Sequence, residues 1–154
     1  MKKPKIAIKN PRDGKIAELA KKTGHKVLAT WALDCAERVL PYFESKYPED
    51  ERPRTAIEAG RAWVRTGVFS MAVIRKAALD SHAAAREAKD DAAHSAARAA
   101  GQAVAAAHVP AHALAAAAYA ATVIRDAEPA GDAAVAKERE WQYQHLVKLG
   151  KIKK

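Results

Sequence analysis

Apolar residues along most of this chain recur at every third or fourth position, the spacing of one face of an α-helix. The clearest stripe lies within residues 25–40, and its members are Leu28, Trp31, Ala32, Cys35 and Val39. No segment alternates apolar and polar residues over the length of a strand, so a β-sheet is not expected. The pattern predicts an all-α fold, a single-domain bundle of about five to seven Ala-rich helices.

Glycine and proline divide the first part of this pattern. The sequence predicts a short helix over residues 13–22, closed by Gly24, and then a long helix from His25 to Leu40. Pro41 should kink that helix or begin a new turn, because proline lacks an N–H and its ring clashes with the preceding turn. Within the long helix, Asp34 and Arg38 stand four residues apart, so we expect them to pair on its surface.

Two further helices are predicted in the middle of the chain. Pro53 suits the first position of one of them, where its missing N–H costs nothing, and Gly67 should end that helix. Ser70 is expected to cap the next helix, which should run through Ala88. The apolar stripe of this helix is predicted to contain Met71, Ile74, Ala78, His82 and Ala85.

The longest helical stretch is expected over residues 92–127, capped by Asp90 or Asp91. Pro110 falls inside this stretch and should kink or split it. Asp132 is expected to cap a last amphipathic helix.

Alanine occupies 39 of the 154 positions. It has the best intrinsic helix propensity and loses no side-chain entropy on folding. Because alanine also buries little area, the helices must approach closely to gain enough from packing.

The net charge of +9 is concentrated at the two ends of the chain. Residues 1–26 carry +7 and residues 137–154 carry +4, whereas residues 27–136 carry −2. A nucleic-acid groove would need basic side chains focused on the folded surface, so we expect nucleic acid to bind at most non-specifically, through the termini.

These features predict three segments along the chain. They are a basic N-terminal tail or short helix over residues 1–24, one helical domain over 25–149 and a basic C-terminal tail over 150–154.

Residues 99–124 contain no Asp, Glu, Lys or Arg, and this length could span a bilayer. The segment is mostly alanine, however, and it includes Gln102, His108, Pro110 and His112. We therefore interpret it as the central helix of a soluble bundle, and we expect no membrane partner.

The histidines are the one candidate metal-binding group. His108 and His112 have the i, i+4 spacing of two ligands on a helix, but Val109 stands where a zinc peptidase has its Glu. A third ligand would have to come from His82 or Asp80. We interpret the histidines as structural residues at a close helix contact, and we predict no metal and no cofactor.

No catalytic group can be assembled from the sequence. Asp80, Ser81 and His82 are adjacent, and adjacent helical residues diverge by about 100°, so they cannot form a triad locally. Cys35 lies on an apolar stripe, which indicates a buried structural thiol compatible with a reducing compartment. Since there is also no Gly-rich phosphate loop, we predict that the protein is not an enzyme.

Several strings, taken in order, resemble the immunity-five-like family of putative immunity proteins of bacterial toxin systems. They are WALDCAERVLP at 31–41, RPR at 52–54 with AIEA at 56–59 and Trp63, HAAAREA at 82–88, AAGQAV at 99–104 with His108, HA at 112–113 and YA at 119–120, and EREWQ at 138–142. The strings cover roughly residues 27–146, and Pro110 departs from the family pattern.

This resemblance implies an all-helical cytoplasmic protein that neutralises a cognate toxin by forming a protein–protein complex, without catalysis. It fixes no partner-binding residues. The alternative is a nucleic-acid-associated helical protein that uses its basic termini, and a homo-oligomer is compatible with either function. The run Glu49-Asp50-Glu51 could steer association with a basic toxin, although we interpret it as a solvated loop.

Overall fold

A computed structural model describes residues 10–152 of the chain. Within that range the chain forms seven α-helices and no β-strand, which confirms the all-α prediction. The helices are α1 (Arg12–Lys21), α2 (His25–Glu44), α3 (Arg52–Thr66), α4 (Met71–Glu87), α5 (Asp91–Ala105), α6 (His112–Ala127) and α7 (Asp132–Ile152).

Helix α5 lies at the centre of the bundle, packed against α2, α3, α4 and α6. Ten of its 15 residues are buried, and each of them is Ala, Ser, Gly or Val. These small side chains let the neighbouring helices approach closely. The bulky part of the core comes mainly from α2, which buries Trp31, Leu33, Leu40 and Phe43.

Helix α7 is joined to α2 and α6 by buried polar contacts. The indole N–H of Trp31 donates to the backbone carbonyl of Gln142 over 2.8 Å. The side-chain amide of Gln142 donates to the carbonyl of Ala117 over 2.9 Å. Gln142 is fully buried, so these partners offset the cost of removing its amide from water.

Helix α1 packs along α7 through two ion pairs. Arg12 pairs with Glu140, and Arg139 donates to Asp13 over 2.7 Å. The described parts of the two basic ends, residues 12–21 and 132–151, therefore pack against each other.

Three predicted helix boundaries are confirmed by their backbone and side-chain geometry. Gly67 ends α3 in the left-handed conformation, with φ of 74°. The Ser70 side chain accepts a hydrogen bond from the Val73 N–H at the start of α4, and Asp90 accepts one from the Ala93 N–H at the start of α5. Asp132, which was expected to cap the last helix, is instead the first residue of α7.

Pro41 does not end the second helix, which continues to Glu44. The Pro41 carbonyl accepts a hydrogen bond from Ser45, and this bond extends the helix past the proline. Phe43 is 1% exposed, and its burial in the core favours helix continuation over a new turn.

Pro110 splits the long helical stretch instead of kinking it. Helix α5 ends at Ala105 and α6 begins at His112, so residues 106–111 form a connection. His108 lies in this connection, so His108 and His112 do not lie one turn apart on a continuous helix.

The predicted Asp34–Arg38 surface pair is also wrong. Asp34 pairs with Arg61 of α3 over 2.9 Å and with His145 of α7 over 2.7 Å. Arg38 instead donates two hydrogen bonds to Glu138 of α7. Helices α3 and α7 cover this side of α2 and supply closer partners than the residue one turn away.

The described part of α7 continues past residue 149, where the helical domain was expected to end. The division into one domain and two tails stays a prediction. None of the helices within residues 10–152 combines the length and apolar character needed to cross a membrane.

Candidate protein-binding surface

The three candidate metal ligands, His108, His112 and His82, lie in different environments and make different contacts. His108 is exposed, and its ring stacks against Phe69 with centroids 6.1 Å apart. His112 donates from Nδ1 to the side-chain oxygen of Gln102 over 2.7 Å, because that oxygen can only accept. No group of three His, Cys, Asp or Glu residues within 10–152 could hold a metal ion.

His82 lies at the closest approach of α4 to α5. A Cβ on Gly101 would lie 2.7 Å from Cε1 of the His82 ring, so glycine is what permits this contact. The buried Nδ1 of His82 has no hydrogen-bond partner within the described residues. Burial, together with the nearby Arg98 and Arg86, lowers the pKa of His82 from 6.5 to about 4.

Asp80 and Ser81, which precede His82 in the sequence, bind partners other than His82. Asp80 pairs with Lys76 over 2.7 Å on the surface of α4. Ser81 is buried and donates to the carbonyl of Ala97 in α5 over 2.8 Å. Neither side chain bonds to His82, as expected from their 100° separation on the helix.

Cys35 is fully buried on α2. Burial raises the pKa of its thiol well above the ordinary value, and Glu138 and Asp34 raise it further. Since the thiolate is the nucleophilic form, this cysteine is poorly suited to covalent catalysis.

One surface region of the molecule is apolar, and we call it the apolar face. Large hydrophobic side chains with more than a third of their area exposed lie along the α3–α4 connection, the first turns of α4 and the α5–α6 connection. They are Val68, Phe69, Met71, Val73, Leu79 and Val109. Within the described residues, the exposed large hydrophobic side chains are confined to this face.

The local sequence explains why these side chains stay exposed. Gly67 ends α3, and Ser70 starts α4 only three residues later, so Val68 and Phe69 fall in a connection with no helix face to bury them. Helix α4 packs against the bundle through Ile74, Ala77, Ser81, Ala84 and Ala85. Val73 and Leu79 lie outside that stripe and point away from the core.

Two shallow grooves flank α4 on the apolar face. The α4–α6 groove encloses about 290 Å³ and lies between α4 and residues 105–112. Its walls are formed by Met71, Ile74, Arg75, Ala78, Leu79, Ala105, His108 and His112. The α3–α4 groove encloses about 230 Å³, and its walls are formed by Ala59, Ala62, Trp63, Thr66, Val68, Ser70, Val73 and Ile74.

Such a face is what a binding site for another protein requires. Clustered exposed apolar side chains often mark a surface that another protein covers, and grooves beside a helix can receive apolar side chains of a second chain. Sequence periodicity did not identify this face, because Met71, Ile74 and Ala78 read as one buried stripe. The available signal was the run Val68–Val73, which places apolar residues next to a predicted helix end.

Comparison with known proteins gives one match. A sequence model of a protein family, described as Imm-5 like putative immunity protein, matches residues 18–149. No curated protein and no solved structure matches the chain.

Proposed function

The chain belongs to the Imm-5 like putative immunity protein family, and from this premise we propose that it neutralises a toxin by forming a stable protein–protein complex, without catalysis. An inhibitor of this kind needs a rigid surface complementary to the toxin, and it needs no reactive group. We further propose a cytoplasmic location, which fits a chain whose single cysteine is a buried free thiol.

The observation that carries the proposal is the apolar face. Binding energy in protein complexes is concentrated in a few well-packed apolar or aromatic anchors surrounded by polar residues. Phe69, Met71 and Leu79 supply such anchors beside two grooves, and the polar residues Arg75 and His108 lie at their edge.

The direct test is co-expression with a toxin encoded beside this gene. The wild-type protein should restore growth and co-purify with the unmodified toxin. A Val73→Asp/Leu79→Asp variant should bind at least about tenfold more weakly, because it places charges where apolar contacts form. Both positions are exposed, so its melting temperature should match that of the wild type.

The matched control is Ala133→Asp/Ala136→Asp, which adds the same charge at exposed positions of α7 and should rescue growth fully. Growth rescue without any detectable complex would instead indicate an enzyme or a regulator. Full rescue by the Val73→Asp/Leu79→Asp variant would mean that the toxin binds elsewhere. Self-association through the apolar face would appear as a wild-type dimer that the same variant dissociates.

A second candidate function, binding to nucleic acid, is favoured by the packing of α1 on α7. Each carboxylate of α1 and two of those on α7 have ion-pair partners. The pairs are Asp13 with Arg139, Glu18 with Lys21, Glu138 with Arg38 and Glu140 with Arg12. Apart from Lys21, the exposed lysines of the two helices have no ion pair within the described residues; they are Lys15, Lys137, Lys148 and Lys151, and Lys22 directly after α1 is also exposed and unpaired.

This basic side of α1 and α7 can be tested with duplex DNA. Lys148→Glu/Lys151→Glu should lower affinity and reduce the salt dependence by about two phosphate contacts. The control Lys46→Glu/Lys89→Glu carries the same net charge and should bind like the wild type. Equal losses in both variants would indicate an effect of overall charge, and no binding by the wild type would remove this candidate.

A further inference from the structure

The charged and titratable side chains that line the grooves of the apolar face are all basic. Arg75, His108 and His112 line the α4–α6 groove, and no Asp or Glu lines either groove. Beside the α3–α4 groove, the ammonium group of Lys26 lies 5.9 Å from the centre of the Trp63 ring.

Three acidic residues near this part of the molecule have basic partners of their own. Asp80, the one carboxylate of α4 near the grooves, is held by Lys76 over 2.7 Å. On the far side of α3, Asp34 and Glu37 are bound by Arg61 over 2.9 and 2.7 Å. Residues 27–136 carry a net charge of −2. The basic side chains at the edge of the apolar face therefore show that charge is unevenly distributed over this part of the chain.

The acidic run that could attract a basic toxin is also partly neutralised. Both side-chain oxygens of Asp50 accept hydrogen bonds from Arg52, which lower the pKa of Asp50, and Arg52 also binds Glu87 over 2.7 Å. A basic partner would gain little from Asp50 and would be repelled by Arg75.

We propose that the apolar face binds an acidic amphipathic segment of the toxin. The large apolar side chains of this segment enter the two grooves, and the carboxylates of the segment contact Arg75 and Lys26. Charge-assisted hydrogen bonds to Arg75 fix the orientation of the segment, and the basic edge speeds association with an acidic partner. This inference rests on the proposed function and adds the chemistry of the partner to it.

The first experiment uses two synthetic helical peptides of about 18 residues, long enough to populate a helix. Both carry the same leucine stripe, flanked by glutamates in one peptide and by lysines in the other. The full-length protein should bind the glutamate peptide at least about tenfold more tightly at low salt, and salt should reduce this preference. Equal binding of both peptides, tighter binding of the lysine peptide or no binding of either would overturn the inference.

Charge reversal at one position then tests the named contact. Arg75→Glu should reduce binding of the glutamate peptide and improve binding of the lysine peptide. The matched control Arg86→Glu changes an exposed arginine on the same helix that lines neither groove, so it should keep the wild-type preference. The same shift in both variants would mean that net charge, and not Arg75, sets the preference.

The toxin assay separates failure of this inference from failure of the proposed function. If the wild type and the Arg75→Glu variant both rescue growth and bind toxin equally, the complex exists but its partner segment is not acidic. If the wild type does not restore growth in the presence of any neighbouring toxin, the proposed function fails, whichever peptide binds. Loss of rescue by Arg75→Glu, with full rescue by Arg86→Glu, supports both.

Discussion

Gly60 of α3 lies directly against Leu33 of α2. A Cβ on residue 60 would lie 2.7 Å from Cδ2 and 3.2 Å from Cδ1 of Leu33, a side chain that is 1% exposed. Gly60→Ala should therefore destabilise the protein by about 1–3 kcal/mol, because the buried Leu33 side chain would have to shift within a packed core. Urea unfolding measures this change in the free energy of unfolding.

The control for this substitution is Gly14→Ala in α1, where nothing lies within 4 Å of an added Cβ. That change should stabilise the protein by up to about 1 kcal/mol through helix propensity. In a Leu33→Ala background the cost of Gly60→Ala should largely disappear. A stabilising effect of Gly60→Ala in the wild type would show that α2 and α3 separate easily.

Arg38 neutralises a buried carboxylate. Its guanidinium donates two 2.9 Å hydrogen bonds to Glu138, which is 6% exposed, and lies 3.8 Å from the centre of the Trp141 ring. Arg38→Met should cost about 1–3 kcal/mol in chemical denaturation, because it leaves Glu138 buried and unpaired.

The comparison for Arg38 is the exposed pair of Lys76 with Asp80. Lys76→Met should change stability by no more than about 0.5 kcal/mol, as is usual for a solvated i, i+4 pair. Equal costs for Arg38→Met and Lys76→Met would contradict the assignment of Glu138 as a buried, arginine-dependent charge.

His82 should make the protein less stable in mild acid. Its pKa is about 4 in the folded protein and about 6.5 in the unfolded chain, so between these values the unfolded state binds more protons. The contribution of the neutral His82 to the free energy of unfolding is therefore fully present above pH 6.5 and decreases as the pH falls towards 4. Arg98, Arg86, His112 and His94 all act in this direction.

Urea midpoints measured across this pH range test the prediction. His82→Gln should flatten the decrease, since glutamine does not titrate. His108→Gln removes an exposed histidine and should leave the decrease unchanged. An identical pH dependence in both variants would exclude His82 as its source.

Cys35 should react with a thiol reagent only when the protein unfolds, because its sulfur is buried and its pKa is raised. A Ser45→Cys variant adds an exposed thiol as an internal standard. The expected time course has one fast and one slow phase, and the slow phase should accelerate with urea. Rapid modification of Cys35 in native buffer would indicate frequent opening of α2.

Purified protein should carry no stoichiometric zinc by elemental analysis. His112 is engaged by Gln102, and His108 and His82 have no third ligand beside them within the described residues. Stoichiometric zinc that is lost in a His108→Ala/His112→Ala variant would reverse the structural interpretation of the histidines.

The fold was largely predictable because its boundaries depend on local chemistry. Ser70 and Asp90 cap helices through their own side chains, and Gly67 adopts a conformation that other residues avoid. Pro41 was harder to interpret, because its outcome depended on whether Phe43 could enter a core formed by distant residues.

The candidate surface could not be predicted in the same way. Periodicity identifies apolar residues on a helix, but it does not say how much of the apolar arc a neighbouring helix covers. Met71 and Ile74 both fit the predicted stripe of α4, yet Met71 is 42% exposed and Ile74 only 4%. The ion-pair partners of Asp34 could not be predicted from the sequence either, because tertiary packing alone brings Arg61 and His145 close to it.

The contacts between α2 and α7 can form only after α7 has been synthesised. Trp31 and Arg38 leave the ribosome about a hundred residues before Gln142 and Glu138, their partners on α7. Until α7 emerges, the indole N–H of Trp31 and the guanidinium of Arg38 lack these partners. A chain truncated before α7 would therefore lack both bonds, and helix α2 should gain its full stability only after α7 has been synthesised.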